Sequence, residues 1–314
     1  MLGPRVAWGP GHRPPRTLDG TKNIRQSGAT SAFAQETPMT TVNDLSVPRP
    51  CSSGDRIMWL THERIFYAGL LGAPVMHDKG AITVYVAIEG RLRVRFQGGE
   101  WHAAEVVVVQ PYVPHEIASE GRHVIDLLIE PETVETSRLP PWLRACGAVH
   151  VPGFAAHVRA THQRLAAGVG TQPLQPADFD AVFFGQPLPG RMLDTRIAGV
   201  FDGLRSDPST MDAAEQCAAQ AGLSFSRFLH LFKEQAGAPF RAVRTWKRAR
   251  ALLQHVNSDS NLVYVALNIG YPDSTHFSHS IRRTYGLKPR DIFAGSRKLR
   301  VIAQPVMHPS LAAG

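Results

Sequence analysis

Apolar and polar residues between positions 57 and 130 alternate with a two-residue period or form short apolar runs, which is the pattern of β-strands. The clearest case is a segment in which Leu92, Val94 and Phe96 point to one face and three arginines point to the other. The predicted strands are residues 81–88, 91–97, 106–109 and 124–129. Short strands separated by Gly and Pro turns predict a small antiparallel barrel or sandwich.

The two-residue period ends after position 130. Phe154, Val158 and Leu165 lie broadly on one side of a helix predicted over residues 154–167, which suits dimerisation or packing. A stretch rich in Gly and Pro follows and ends at residues 187–190, which is typical of an interdomain linker. Composition and periodicity both change there, so we place a domain boundary near residue 190.

The last third of the chain has helical spacing and contains one helical arrangement twice. The first apolar stripe is Ile197, Val200, Phe201 and Leu204. Helices predicted over residues 211–221 and 225–235 are joined at Gly222, with Ser224 as the N-cap of the second helix. The predicted buried face of that second helix is Phe225, Phe228, Leu229, Phe232 and Ala236. Two helices around a tight turn have the form of a DNA-reading helix-turn-helix.

The second copy consists of an apolar helix over residues 262–269, a turn, and a helix over residues 274–285 that buries Phe277, Ile281 and Tyr285. A basic helix over residues 239–256 joins the copies; its cations are Arg241, Arg244, Lys247, Arg248 and Arg250. We expect these cations to contact DNA or to form a solvated face. Two units on one rigid helix could enter successive major grooves about 34 Å apart.

Charge supports this picture. The chain of 314 residues is 43% apolar and 19% charged, an ordinary globular balance, and its net charge is +8. Residues 191–314 carry 17 Lys and Arg against 9 Asp and Glu, whereas residues 51–190 carry 11 against 14. The basic excess therefore lies in the helical region, which suggests a polyanionic partner. A membrane-spanning helix is excluded because no run of 18 apolar residues exists.

The first 50 residues hold many Pro and Gly and few large apolar residues, so we predict a disordered leader there. A transit peptide, or translation that begins at Met39, are the alternatives. Three widely spaced cysteines form no CxxC pair, which fits a reducing, cytoplasmic setting and indicates neither a disulfide scaffold nor a zinc site.

Two motifs carry a family resemblance. The chain contains AGLSFSRF over residues 221–228, IGYPDSTHFS over residues 269–278, and YGLKP over residues 285–289. Across residues 194–293 it resembles AraC/XylS-type bacterial transcription regulators, and residues 60–130 loosely resemble the cupin-type sensor barrel of many members. The resemblance implies double helix-turn-helix binding to promoter DNA, usually under the control of an effector.

On that basis we predict two sets of DNA contacts. The base-reading set is Ser226, Arg227, His230, Thr275, His276 and His279. The phosphate set is Ser224, Lys233, Ser274, Arg282 and Arg283. His230 and His279 stand where the family often has Arg; one imidazole cannot form the two-pronged guanine contact of a guanidinium, so base preference is expected to differ.

An enzyme is the alternative, in the form of a cupin-type metal-dependent oxygenase or isomerase with an accessory helical domain. Only His77 and His115 are plausible metal ligands, since Lys79 stands where a second His is usual and Glu89 lies too far on. Their competing interpretation is a pair of histidines at the barrel rim that hydrogen-bond to backbone. Motifs of other common enzymes are absent, so no catalytic residue, metal or cofactor is predicted.

The sequence thus predicts an α+β multidomain protein with a cupin-like antiparallel β-barrel before an all-α double helix-turn-helix. The predicted parts are a leader (1–50), a sensor or dimerisation domain (55–135), a helix and linker (140–190), a DNA-binding domain (191–296) and a tail (297–314). The expected partners are double-stranded promoter DNA, a small-molecule effector in the barrel, a second copy of the chain, and RNA polymerase if the protein is an activator. The expected location is the bacterial cytoplasm, associated with the nucleoid, with no membrane partner.

Overall fold

Two β-sheets build the N-terminal half of the molecule. The computed structural model describes residues 56–168, 178–209, 213–257, 261–296 and 299–303, so the predicted leader lies outside the described residues. The strands are β1 Ile57–Leu60, β2 Arg64–Leu70, β3 Ile82–Val86, β4 Leu92–Phe96, β5 His102–Ala104, β6 Val106–Val109, β7 His115–Ser119, β8 His123–Ile129, β9 Gly147–Val149 and β10 Arg300–Ala303. All four strands predicted from the alternating segment and the apolar runs are therefore present.

The described strands form a sheet in the order β10-β1-β2-β8-β3-β6-β9 and a second sheet in the order β5-β4-β7. The pairings are antiparallel except that of β10 with β1, which is parallel. In β4 the predicted alternation holds, since Leu92 and Val94 are buried and Arg93 is exposed. β3 is buried along its whole length, because the larger sheet is covered on both faces.

Helices cover the rest of the described chain. They are α1 Pro141–Arg144, α2 Phe154–Ala166, α3 Asp178–Phe184, α4 Thr195–Ser206, α5 Ala214–Gln220, α6 Phe225–Ala236, α7 Phe240–Ala251, α8 Leu262–Asn268, α9 Ser274–Tyr285 and α10 Pro289–Ser296. Short 3₁₀ turns lie at Pro131–Thr133, Thr136–Arg138 and Leu252–His255. The basic helix predicted over residues 239–256 is thus α7 followed by a 3₁₀ turn. None of the described helices has the length and apolar character needed to cross a membrane.

One apolar core lies between the larger sheet and the helices α2 and α3. Phe154 and Val158 of α2 are buried there, so this helix packs against its own domain through the predicted face. α3 lies inside the segment predicted as a linker, and its Phe179 and Phe183 are buried, with Phe183 stacked on Phe66. A helix of seven residues gives too short a periodic signal to stand out beside Gly and Pro.

The opposite face of the same sheet packs against the C-terminal helices. Met58, Ile65 and Leu128 share a cluster with Trp246 of α7 and Val256. Strand β10, within the predicted tail, extends the sheet at β1, where the Arg300 amide donates to the Arg56 carbonyl at 2.9 Å. The β-rich and helical regions therefore meet across a buried boundary, which we call the domain seam.

Candidate nucleic-acid interface and domain seam

The first helix-turn-helix is α5 followed by α6. Gly222 has φ of +64°, a conformation that glycine adopts without steric cost, and it turns the chain sharply between the two helices. Phe228 and Phe232 of α6 are fully buried, and Phe232 lies 5.3 Å from the Phe201 ring and 5.2 Å from the Phe240 ring. This aromatic core holds α6 against α4 and α7.

The predicted DNA contacts on α6 are all on its exposed surface: Ser224, Ser226, Arg227, His230 and Lys233. Ser224 stands at the N-cap position, although its side chain makes no capping hydrogen bond. The prediction that Phe225 is buried is wrong, because its side chain is 45% exposed. Phe225 is the first residue of α6, where the apolar stripe is no longer covered by the described part of the chain.

The second helix-turn-helix is α8 followed by α9. Asp273 caps α9, since its Oδ1 accepts from the Thr275 and His276 amides at 2.8 Å each and its Oδ2 lies 2.7 Å from His276 Nδ1. Phe277 and Ile281 are buried as predicted, and Tyr285 is half-buried. The predicted contacts on α9 are exposed: Ser274, Thr275, His276, His279, Arg282 and Arg283.

A groove of about 890 Å³ runs between α7 and α9. It brings Arg241 and Arg244 of α7 together with His276, His279 and Arg283 of α9. The predicted contacts on α6 lie on a separate helix and do not line this groove among the described residues. The arrangement presents two polar helix surfaces with a basic channel beside the second.

Two cations at the end of α7 neither face solvent nor are available to DNA, contrary to both expectations from the sequence. Lys247 and Arg250 are buried, and they bind carboxylates of the β-rich region. Lys247 Nζ lies 2.5 Å from Glu130 Oε2 and 2.5 Å from Glu132 Oε1, and Arg250 Nε lies 2.7 Å from Glu130 Oε1. We call these four residues the seam ion cluster. Part of the basic excess is therefore neutralised inside the protein.

Arg283 also meets the β-rich region. Its guanidinium lies 2.9 Å from Asp78 Oδ2, and its backbone carbonyl accepts from the Asp78 amide at 3.0 Å. This pairing raises the pKa of Arg283. Sequence reasoning missed Asp78, because nothing in the local pattern shows that a loop between β2 and β3 reaches α9.

His77 and His115, the weak metal candidates, are buried beside each other with ring centroids 4.4 Å apart. Each Nδ1 faces a backbone carbonyl oxygen, that of Val75 at 2.8 Å and that of Val113 at 2.9 Å. Both Nε2 atoms are therefore acceptors; the Tyr85 hydroxyl donates its one proton to His115 Nε2 at 2.7 Å, and His77 Nε2 lies 3.2 Å from the same oxygen. The backbone-bonded interpretation fits, although the pair is buried rather than at a rim.

Two imidazoles fall short of the three or four ligands that a catalytic metal requires. Among the described residues, no group of three His, Cys, Asp or Glu side chains converges. The described part of the chain therefore does not assemble the three-ligand metal site that the alternative enzyme needs.

Burial makes the histidine pair sensitive to acid. It lowers the pKa of His77 to about 4, assisted by Lys79, and that of His115 to about 2, assisted by His77. A folded-state pKa below the unfolded value means that the unfolded chain binds more protons, so stability is full above pH 6.5 and declines as the pH falls. We expect protonation linked to His77 to lower the free energy of unfolding by about 2 kcal/mol between pH 7 and pH 5.

Urea unfolding at both pH values measures this, with His77→Gln expected to lose about 2 kcal/mol less on acidification than the wild type. His102→Gln, an exposed histidine of β5, serves as the matched control and should keep the wild-type pH dependence. An equal loss in His77→Gln and wild type would contradict the assignment.

The seam also encloses a cavity of about 110 Å³, which we call the seam cavity. Its apolar lining comes from both regions, and includes Met58, Tyr67, Leu71, Leu253, Tyr285 and Ile292. Its polar wall holds Lys79, whose Nζ binds Asp126 Oδ2. Sequence reasoning named no pocket residue, since the lining is assembled from segments far apart in the chain.

Comparisons with known proteins agree with this geometry. The family described as a helix-turn-helix domain matches residues 217–295. The invasion protein InvF of Salmonella typhimurium is 32% identical over 72 residues, which are 23% of this chain and 33% of InvF. The HTH-type transcriptional activator RhaS of Klebsiella pneumoniae is 38% identical over 84 residues, which are 26% of this chain and 30% of RhaS. The chain thus spans about a third of the length of these curated relatives.

Among solved structures, apo ToxT from Vibrio cholerae strain SCE256 superposes with a TM-score of 0.50 at 10% identity. The match covers 74% of this chain and 97% of that one, which establishes a shared fold of a β-rich domain followed by helical units. Together with the family match and the two helix-turn-helix units, this confirms the resemblance found in the motifs. Residues 217–295 are therefore a helix-turn-helix domain, in an α+β chain that has a β-rich domain before it.

Proposed function

We propose that this protein is a sequence-specific DNA-binding transcription regulator whose β-rich domain senses a small-molecule effector. The observation that carries the proposal is the pair of helix-turn-helix units, each with an exposed polar surface on its second helix. RhaS, similar over the same region, is described as a transcriptional activator, which supports regulation rather than catalysis.

In this proposal α6 and α9 enter the major groove, and their exposed side chains divide by position. Ser226, Arg227, His230, Thr275, His276 and His279 read bases, whereas Ser224, Lys233, Ser274, Arg282 and Arg283 hold phosphates. Phosphate neutralisation releases counterions, so affinity falls steeply with salt. The target is double-stranded promoter DNA in the bacterial cytoplasm, at the nucleoid.

The test is fluorescence anisotropy with the promoter next to the protein's own gene, across a salt series and against unrelated DNA. We expect preferential, salt-dependent binding, and we expect His230→Ala with His279→Ala to reduce the preference by about 10-fold, since two single hydrogen bonds to bases of about 0.5–1.5 kcal/mol each are lost. His102→Ala, in the β-rich domain, is the control. Equal binding to promoter and unrelated DNA would refute sequence-specific regulation.

Breaking the ion pair between Arg283 and Asp78 gives a second test, in which DNA affinity is measured. Asp78 and a DNA phosphate would compete for the same guanidinium, so Asp78→Asn is expected to strengthen DNA binding about two- to fivefold, the range of an exposed ion pair. Glu63→Gln, which weakens a different contact across the seam, that with Arg205 at 3.4 Å, should leave affinity unchanged. Weaker binding by Asp78→Asn would show that this pair supports the DNA-competent form.

The proposal also includes a homodimer, and contact with RNA polymerase if the protein is an activator. Sedimentation of the full chain with and without promoter DNA tests the first. Transcription in vitro from the bound promoter tests the second, since stimulation requires a productive contact with the polymerase.

A further inference from the structure

The seam cavity carries one unusual polar group. Asp126 of β8 has a side chain that is only 8% exposed, and its Oδ2 binds Lys79. Its Oδ1 is buried and accepts no hydrogen bond from any described protein group. A buried carboxylate oxygen without a donor costs free energy, so a donor supplied from the cavity would be favourable.

Other polar groups around the cavity are already paired. The Tyr67 hydroxyl donates to the Leu70 carbonyl at 3.0 Å, and the Tyr285 hydroxyl donates to the Ala249 carbonyl at 3.1 Å. The Tyr85 hydroxyl donates its one proton to His115 Nε2 at 2.7 Å. The remaining charged group of the lining is Asp291, whose side chain is 50% exposed, so Asp126 Oδ1 is the buried carboxylate oxygen of the wall that lacks a donor.

The charges at this wall decide which donor fits. Lys79 and Asp126 neutralise each other, so a ligand carboxylate would sit beside Asp126 without a free cation to balance it. An ammonium group would add a positive charge beside Lys79, and the carboxylate left to balance it, that of Asp291, is half-exposed, where an ion pair contributes little. A hydroxyl adds a donor without adding charge.

The size and lining of the seam cavity limit the rest of the ligand. The cavity of about 110 Å³ is somewhat smaller than an engineered apolar cavity of about 150 Å³ that holds benzene. Its lining is predominantly aliphatic and aromatic. A single ring or a short branched chain is therefore the upper limit, unless the side chains move.

We propose that the seam cavity binds a small neutral hydroxyl compound, a phenol or alcohol of about one ring, whose O–H donates to Asp126 Oδ1. Because Leu253 and Ile292 belong to the helical region and Tyr67 to the β-rich region, the ligand contacts both sides of the seam. This inference rests on the proposed function for its biological meaning, as it names the chemical class of the effector.

The experiment is titration calorimetry of the full chain without DNA, using phenol, toluene, benzoate and benzylammonium as probes. We expect saturable phenol binding about 10-fold or more tighter than that of each other probe, the ratio that corresponds to a hydrogen bond to a charged group. No saturable phenol binding, equal binding of toluene, or tighter binding of either ion would each overturn the proposal.

The double variant Lys79→Met with Asp126→Leu tests the residues, because replacing both members of a buried pair with apolar side chains preserves folding better than removing one. We expect its preference for phenol over toluene to disappear. Arg95→Met with Glu116→Leu removes an ion pair between β4 and β7, outside the cavity lining, and should keep the preference. Retention of the preference in the first variant would overturn the role of Asp126.

A second variant tests whether phenol binds in the seam cavity. Leu253→Trp fills the cavity from the helical side and should weaken phenol binding at least 10-fold, whereas wild-type affinity would place the ligand elsewhere. Since none of these measurements includes DNA, failure of the ligand proposal leaves the promoter-binding result intact, and failure of promoter binding leaves the calorimetry unchanged.

Discussion

Glu130→Ala is expected to lower the free energy of unfolding by about 3–5 kcal/mol, because it leaves two buried cations without their shared carboxylate. Glu130 is 1% exposed and binds Lys247 and Arg250, while the Trp246 indole Nε1 donates to its Oε2 at 3.0 Å. Burial disfavours its ionised form, but Lys247 and Arg250 outweigh that effect and the pKa of Glu130 lies below its ordinary value. Glu132 alone cannot compensate both cations.

Urea unfolding of the full chain at neutral pH measures this change. Glu89→Ala, at an exposed position after β3, is the control and should stay within about 0.5 kcal/mol of the wild type. Glu130→Gln should fall between the two, since it retains the side-chain volume and loses the charge. A cost below 1 kcal/mol for Glu130→Ala would mean that the seam ion cluster does not hold the two regions together.

Phe232→Ala is expected to cost about 3–5 kcal/mol of stability, the usual range when a buried aromatic ring is removed from a core. Phe232 is fully buried and contacts the rings of Phe201, Phe228 and Phe240. Its loss would open a cavity where α4, α6 and α7 meet. DNA affinity should fall with it, because α6 would lose its fixed orientation.

Phe225→Ala is the matched control, since it makes the same substitution two turns earlier on the same helix at a 45% exposed position. We expect it to cost less than about 1 kcal/mol of stability. Thermal and urea unfolding of both variants give the comparison. Similar losses for Phe225→Ala and Phe232→Ala would show that the exposed ring packs as the original stripe suggested.

Periodicity predicted much of the secondary structure, but it misplaced Phe225 and missed strand β10. Residues 91–97 and 154–167 gave the correct elements, because one face of each is buried and the other is solvated. Phe225 was predicted to be buried because it shares the apolar spacing of α6. Spacing shows which residues share a face of a helix, but it does not show how far neighbouring helices cover that face. β10 was missed because its pairing with β1 joins residues more than 240 positions apart.

The repeated helix-turn-helix and its family could be recognised before any coordinates, because turn glycines, apolar spacing and motif residues are local properties. The partners of the charged residues could not be recognised from the sequence. Lys247 and Glu130 are 117 positions apart, and their burial in one seam depends on how the larger sheet packs against α7. The same packing pairs Arg283 with Asp78 and places Asp126 at the wall of the seam cavity. The number of charges can be counted along the chain, but which of them face DNA depends on long-range contacts that no local pattern encodes.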